Sequence, residues 1–408
     1  MRDVPAWAAR LRSARRERFW TQREMAKHLA EAADEKTALP ERESLVRMIR
    51  DWEAGKHQPK DPYRLLYCRV FSVSEAELFE ADGVEPSGQD DEIDAMDLAR
   101  RASASDVGRE TIERLEAAVD ELAVAYPTTP PAELLQRVRV HLSYVARLLD
   151  VKTTLAERRQ LLVVGGWLSL LAATCHIDLR QFSAGTARLV TAGQLAKQAD
   201  HAEIAAWCLE TDAWQAVTVG DYRRALPLTQ AAQAIAPRAS SAYIQATAQE
   251  GRVWARLGEV RETRDALDRL SRLVSPLSTP DNPEHHYRYD PAKSDAYVAT
   301  TLSWLGDSAA VPYARRVLAR MESPADGPVR PRRAVAARLD LALALLAVDQ
   351  SEEAGELALA AITSGLLVPS NYWRAREVVA EIDNRRIPEA VQLREAYREL
   401  CRVADQPD

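Results

Sequence analysis

Arg47 and Arg50 lie three residues apart in a segment whose apolar residues Leu45, Ile49 and Trp52 recur at i, i+4 and i+7. That spacing marks the core face of a helix and leaves Val46, Arg47, Arg50 and Asp51 on the outer face. A guanidinium is a planar fork of donors that fits the O6 and N7 acceptors of guanine, or the oxygens of a phosphate. A short helix seated on a core and offering two arginines outward suits a major groove. Lys56 and Lys60 follow the helix, where they could reach backbone phosphates.

Other chemistries are poorly served. There is no Walker loop, no H-E-x-x-H and no G-x-S-x-G, so no catalytic spacing and no cofactor site is indicated. His285 and His286 near Asp290 have the residue types of a metal site. Asp290-Pro291, however, is a helix start, with Asp as N-cap and Pro at N1, which accounts for the carboxylate without a metal. The chain is expected not to be an enzyme.

The arginine-bearing helix must be positioned by its neighbours. Thr21-Gln22-Arg23-Glu24 is a capping box, so a helix is predicted to start at Gln22, with Trp20 and Met25 placed as a hydrophobic staple. Met25, Ala26 and Leu29 fall on its inner face. The second helix is predicted to begin after Pro40 with Ser44 as N-cap, and to stop at Gly55 ahead of Pro59. Tyr63, Leu66, Tyr67 and Val70 give a further amphipathic helix. Ser74 to Glu77 is a second capping box, with Val73 and Leu78 as its staple.

These residues resemble the Cro/repressor-like (XRE-type) helix-turn-helix family. The match is carried by Thr21-Gln22-x-x-Met25-Ala26 on the first motif helix and Ile49-Arg50-Asp51-Trp52-Glu53-x-Gly55 on the second. The resemblance implies that Gln22 positions a phosphate, with Arg23 beside it, and that Val46, Arg47 and Asp51 touch base edges. The segment from Glu31 to Glu43 is longer than the family's turn.

Charge is distributed to match. The 408-residue chain carries a net charge of −7, yet residues 1 to 70 hold 16 Lys/Arg against 11 Asp/Glu, a balance of +5 that leaves −12 for the remainder. Only the N-terminal end has the electrostatics of a phosphate partner. Arg10, Arg12, Arg15, Arg16 and Arg18 crowd the first helix. The four cysteines, Cys68, Cys175, Cys208 and Cys401, form no C-x-x-C pair and read as buried thiols in a reducing compartment. The apolar run Leu161 to Cys175 is interrupted by Gly165-Gly166, and the N-terminus has no apolar signal segment, so a cytoplasmic protein with no membrane partner is expected.

The length calls for more than one domain. The polar stretch from Gly83 to Asp91 closes the first, giving a DNA-binding domain over 1–85, a linker over 86–110 and a helical domain over 111–408. With only 15 glycines and long 3.6-residue patterns, the whole chain is expected to be all-α. In the helical domain, Gly220-Asp221-Tyr222-x-x-Ala225 with Ala232 and Pro237 matches the second half of a tetratricopeptide repeat. There, glycine makes a tight turn, an aromatic fills the hairpin, and alanines allow helices to cross closely. Weaker copies occur at Leu257-Gly258-Glu259, at Leu305-Gly306-Asp307 and around Asp349 with Ala354 and Ala361. The turns lie 38, 48 and 43 residues apart, against a family period of about 34. A tetratricopeptide-like solenoid with long helices or large loops is predicted. Its concave positions would be Trp207, Glu210 and Trp214, then Arg252 and Arg256, then Lys293 and Trp304. Aromatics, one carboxylate and several cations in one groove suit a peptide or an acidic small molecule as effector. Trp167 and His176 read as core.

From the N-terminal motif through Leu98-Ala99-Arg100-Arg101 and Asp106-Val107-Gly108 to the repeats, the chain resembles the actinobacterial XRE-type regulators with a tetratricopeptide-like C-terminal domain. It is more distantly similar to the peptide-sensing regulators of other Gram-positive bacteria. The resemblance implies a transcription factor that binds a double-stranded operator as a homodimer, through a solenoid that dimerises, binds an effector, or both. The alternative is a repeat scaffold for protein–protein contact, which would have no need of Arg47 and Arg50 on an outer face.

Overall fold

The computed structural model describes residues 4–34, 37, 39–79, 88–323, 330–386 and 390–404. It is all-α, with no strand among the described residues. The chain divides into two compact units, residues 1–99 and 100–408. The division falls inside a helix, Gly88–Ser103, within the segment expected to be a linker. The sequence-based boundary near residue 85 lies outside the described residues.

The first unit contains α1 (Ala6–Glu17), α2 (Gln22–Glu31), α3 (Arg42–Glu53), α4 (Tyr63–Phe71) and α5 (Glu75–Phe79). The Thr21 capping box forms in both directions and starts α2. Ser74 and Glu77 cap α5 in the same way. The start of α3 differs from expectation: Glu41 is the N-cap, with no side-chain cap hydrogen bond, and Ser44 sits inside the first turn. At its C-terminus, the Gly55 amide donates to the Trp52 carbonyl and the Lys56 amide to that of Asp51, a Schellman ending. Gly55 has φ +72°, and a Cβ there would meet Pro5 Cδ at 2.4 Å, so only glycine serves. Leu11, Met25, Leu29, Leu45, Ile49, Trp52, Tyr67 and Phe71 close one core.

The helix that spans the division is α6 (Gly88–Ser103); after it the second unit continues with α7 (Arg109–Ala125), α8 (Pro131–Leu149), α9 (Leu155–Asp178) and α10 (Phe182–Ala199). Gly165-Gly166 does not interrupt α9, contrary to expectation. Cβ atoms there would meet Leu195 Cδ1 at 3.3 Å and Ile204 Cδ1 at 3.2 Å, so the glycines let α10 and α11 approach closely. By length and composition α9 is the one described helix that could cross a membrane, and 83% of its apolar window is buried within the protein. His176 is buried and Trp167 partly so.

Helical hairpins follow: α11 (Ala202–Thr218) with α12 (Tyr222–Ile235), α13 (Ser241–Leu257) with α14 (Val260–Val274), α15 (Ala292–Leu305) with α16 (Ala310–Glu322), and α17 (Pro331–Leu346) with α18 (Ser351–Thr363). A 3-10 turn at Pro369–Asn371 leads to α19 (Tyr372–Asn384) and α20 (Ala390–Ala404). The hairpin turns carry left-handed residues at the expected places: Gly220, Gly258, Gly306 and, without glycine, Asp349. Ala225, Ala232, Ala354 and Ala361 are fully buried, so backbones cross where side chains are smallest. The first helices of successive hairpins, α11, α13, α15 and α17, pack on one another in series, and α17 packs on α19.

Between α14 and α15, residues 275–291 form a strap that reaches back to α7. The His286 amide donates to the Ala123 carbonyl, while the His285 ring and the Arg288 guanidinium both engage Asp120. Asp290 Oδ1 accepts from the Ala292 amide at 3.0 Å; the helix starts one residue later than expected, with Pro291 as its N-cap in place of Asp290 and Ala292 at N1 in place of the proline.

Candidate nucleic-acid interface and ligand cavity

On α3 the buried residues are Leu45, Val46, Ile49, Trp52 and Glu53. Val46 was expected outside and is a correction: it is 7% exposed and part of the core. Val46, Ile49 and Glu53 lie along one i, i+3, i+7 row, so the apolar stripe is wider than Leu45, Ile49 and Trp52 alone suggest. Arg47 and Arg50 are exposed, and neither makes an ion pair among the described residues. Asp51 is half-buried, and its carboxylate accepts from Lys56 Nζ at 2.7 Å, a contact that holds it well ionised. Lys60 is exposed. Arg23 is exposed, 3.7 Å from Glu43.

What fixes α3 is an ion pair that the sequence analysis counted as surface charge. Arg15 is buried, donating from Nε and Nη2 to the two oxygens of Glu53 at 2.6 and 2.7 Å and from Nη1 to the Trp20 carbonyl at 2.6 Å. Gln22 Nε2 donates to the same Glu53 carboxylate at 3.0 Å, so the residue expected to position a phosphate is tied to the anchor of α3. Arg12 donates to the Glu53 carbonyl, Arg10 to Leu78 and Arg18 to Phe71. Four of the five arginines crowded on α1 thus bind their own domain. Exposed cations remain on α3 and just after it, at Arg42, Arg47, Arg50, Lys56 and Lys60, and also at Arg16, Arg23 and Lys27 on α1 and α2.

In the second unit, a cavity of about 300 Å³ opens among α11, α13, α15, α16, α17 and α19. Five of the seven expected groove residues line it: Trp207, Glu210, Trp214, Arg252 and Lys293. Arg256 and Trp304 do not. Arg256 makes a two-pronged contact with Glu377 at 2.6 Å and lies over Trp304 and Trp373, an aromatic–arginine cluster that adjoins the cavity through Arg252 and Arg374, which lie over Trp304 as well. Gln249, Tyr297, Arg320, Arg330, Arg332, Arg333 and Arg374, together with His286 from the strap, also line the cavity and were not expected there from the repeat pattern.

Most of these cations already have carboxylates. Glu284 is shared by Arg330 and Arg333, at 2.6 and 3.2 Å. Asp340 takes Arg374 at 3.2 Å and the Thr300 hydroxyl at 2.6 Å. Asp295 takes Arg320. Asp178 accepts from Tyr126 and Ser370 at 2.8 and 2.7 Å, with Arg332 at 3.8 Å. Two of the lining cations have no carboxylate in ion-pair contact among the described residues. Arg252 lies flat on Tyr297, 3.9 Å from the ring centroid, and Lys293 Nζ donates to the carbonyls of His285 and Arg288. Burial, with Arg333 nearby, pushes Lys293 down to about 8, and burial pushes Glu210 up to about 7 against the opposing hydrogen bond from Gln245. His286 is held neutral by burial.

No group of three or more His, Cys, Asp or Glu residues placed to hold a metal occurs among the described residues. No protein-family model, no curated protein and no solved structure matches the chain.

Proposed function

We propose that the chain is a sequence-specific DNA-binding transcriptional regulator of the Cro/repressor-like type, acting as a cytoplasmic homodimer through a tetratricopeptide-like C-terminal domain that also binds an effector. The observation that carries this is the pair Arg47 and Arg50, exposed and, among the described residues, without ion pairs, on a helix anchored from beneath by a buried core and by Glu53. An arginine left unpaired on a rigid helix is pre-organised for a bidentate contact to guanine, whereas a flexible surface arginine would have to be ordered on binding. The same reading calls for a dimer, because one module with so few phosphate contacts binds weakly and reads few base pairs.

The test is selection of randomised duplexes by the full-length protein at near-physiological salt. Enrichment of a two-fold-symmetric motif with guanines in each half-site is the expected result. Recovery of no motif, with binding that depends only on salt, would leave the repeat-scaffold alternative as the better account.

A further inference from the structure

Among the residues lining the cavity, the buried polar atoms without a hydrogen-bond partner include Nε1 of Trp207, Nε2 of Gln249, and Nε of Arg252 and Arg374. All of these are N–H donors, and none can accept. Trp207 and Gln249 are 3% and 1% exposed, so no open solvent serves them. A buried donor left unmade costs about 1 to 3 kcal/mol, and protein structures rarely leave several together without a partner meant for them. The lining carboxylates meanwhile are occupied: Asp178 by Tyr126 and Ser370, Asp340 by Thr300 and Arg374, Glu210 by Gln245. The site therefore has donors and positive charge to spare and few acceptors to offer.

We propose that this cavity binds a small organic anion, a carboxylate or phosphate group carried on a planar apolar body. The oxyanion is held by Arg252, Gln249 and Arg374, and the body lies against Trp207, Trp214 and Tyr297. The volume is at the lower end of the range for small-molecule sites, which favours a compact molecule over an extended peptide. Arg252 is fixed by stacking on Tyr297, so little side-chain entropy is lost when its fork closes on an oxyanion. A cation would meet unpaired donors and excess positive charge, and a neutral ligand would leave that charge uncompensated. The binding chemistry stands on the cavity alone; its regulatory consequence rests on the DNA-binding reading above.

The experiment is calorimetric titration of the full-length protein with benzoate, phenyl phosphate and benzamide, three probes of similar size that differ in the head group. Benzoate, phenyl phosphate or both should bind at least about tenfold more tightly than benzamide, and whichever of the two is preferred identifies the oxyanion. Arg252→Gln should lower the anion affinity about tenfold or more while leaving that for benzamide unchanged; if that variant does not fold, Gln249→Leu, which removes another of the three proposed donors, takes its place. Equal affinity for the three probes overturns the proposal, as does binding of none of them alongside an acidic peptide that does bind. The duplex selection run on the same preparation separates the two readings. Anion binding without DNA binding removes the regulator and keeps the cavity assignment, and DNA binding without anion preference does the reverse.

Discussion

Replacing Glu53 with alanine tests what holds the arginine-bearing helix in place. In the folded unit Glu53 is buried and receives two charge-assisted hydrogen bonds from Arg15 and a third from Gln22. The Arg15 and Glu53 side chains are only 11% and 4% exposed, so water cannot take over either charge. Truncating one member strands a guanidinium in the core, for which a cost of about 3 to 5 kcal/mol is typical. That is two to three and a half decades in the opening equilibrium of the first unit. Amide hydrogen exchange on peptides from α3 and α2, followed in the full-length protein, reads this directly, with peptides from α13 and α17 as an internal reference. Protection of α3 should fall by the stated amount while the reference stays unchanged. The double variant Arg15→Met, Glu53→Leu should recover most of the loss, since an apolar pair of similar volume often equals or exceeds a buried ion pair. A loss under about 1 kcal/mol for Glu53→Ala would mean the pair contributes no more than one on the surface, and the positioning role given to it would fall.

Four further outcomes are expected. Arg47→Ala should lower affinity for a selected duplex by about 1 to 3 kcal/mol with little change on scrambled DNA, measured by fluorescence anisotropy; equal losses on both would make it a phosphate contact. Val46→Ala should act on the fold, destabilising the first unit by about 1 to 3 kcal/mol in exchange or urea unfolding; a shift in base preference at unchanged stability would contradict its place in the core. In the cavity, ionisation of Glu210 near 7 adds a negative charge and loss of the Lys293 proton near 8 removes a positive one, so anion affinity should fall as pH rises from about 6 to about 9, and a flat calorimetric profile would sink the electrostatic account. The same raised Glu210 value favours the fold below about 4.5 and loses that contribution as pH rises towards about 7, a dependence that Glu210→Gln should abolish.

Several local signals, in which a side chain acts on its own backbone, were readable from the sequence. Thr21 with Glu24, Ser74 with Glu77, and the glycines at 55, 220, 258 and 306 all sit where their types require. The start of α3 was misplaced because Ser44 is a good cap by type, while Glu41 begins the helix without a side-chain cap. Arg15 was read as surface charge because its partner lies 38 residues away, and no periodicity couples the two. The cavity was half-legible for a similar reason. Trp207, Glu210, Trp214, Arg252 and Lys293 follow from the register of three consecutive first helices. Arg330, Arg333 and Arg374 come from hairpins whose placement depends on how the preceding ones stack, and His286 comes from a loop with no repeat pattern at all.

The strap and the later hairpins also decide when the cavity can exist. Its walls are joined by contacts of great sequence separation: His285 to Asp120 across 165 residues, Ser370 to Asp178 across 192, and Arg332 to the carbonyls of Thr129 and Tyr126 across 203 and 206. Closing such loops is slow relative to forming the local helical hairpins. During synthesis at about 5 to 20 residues per second, the first unit and the early hairpins emerge many seconds before Arg374 leaves the ribosome. For that interval the nascent chain presents its arginine-bearing helix with no finished cavity behind it, and Trp207 and Tyr287 have yet to be covered. Any ligand that completes the cavity acts as the last piece of the assembly line, joining only when nearly the whole polypeptide has been made.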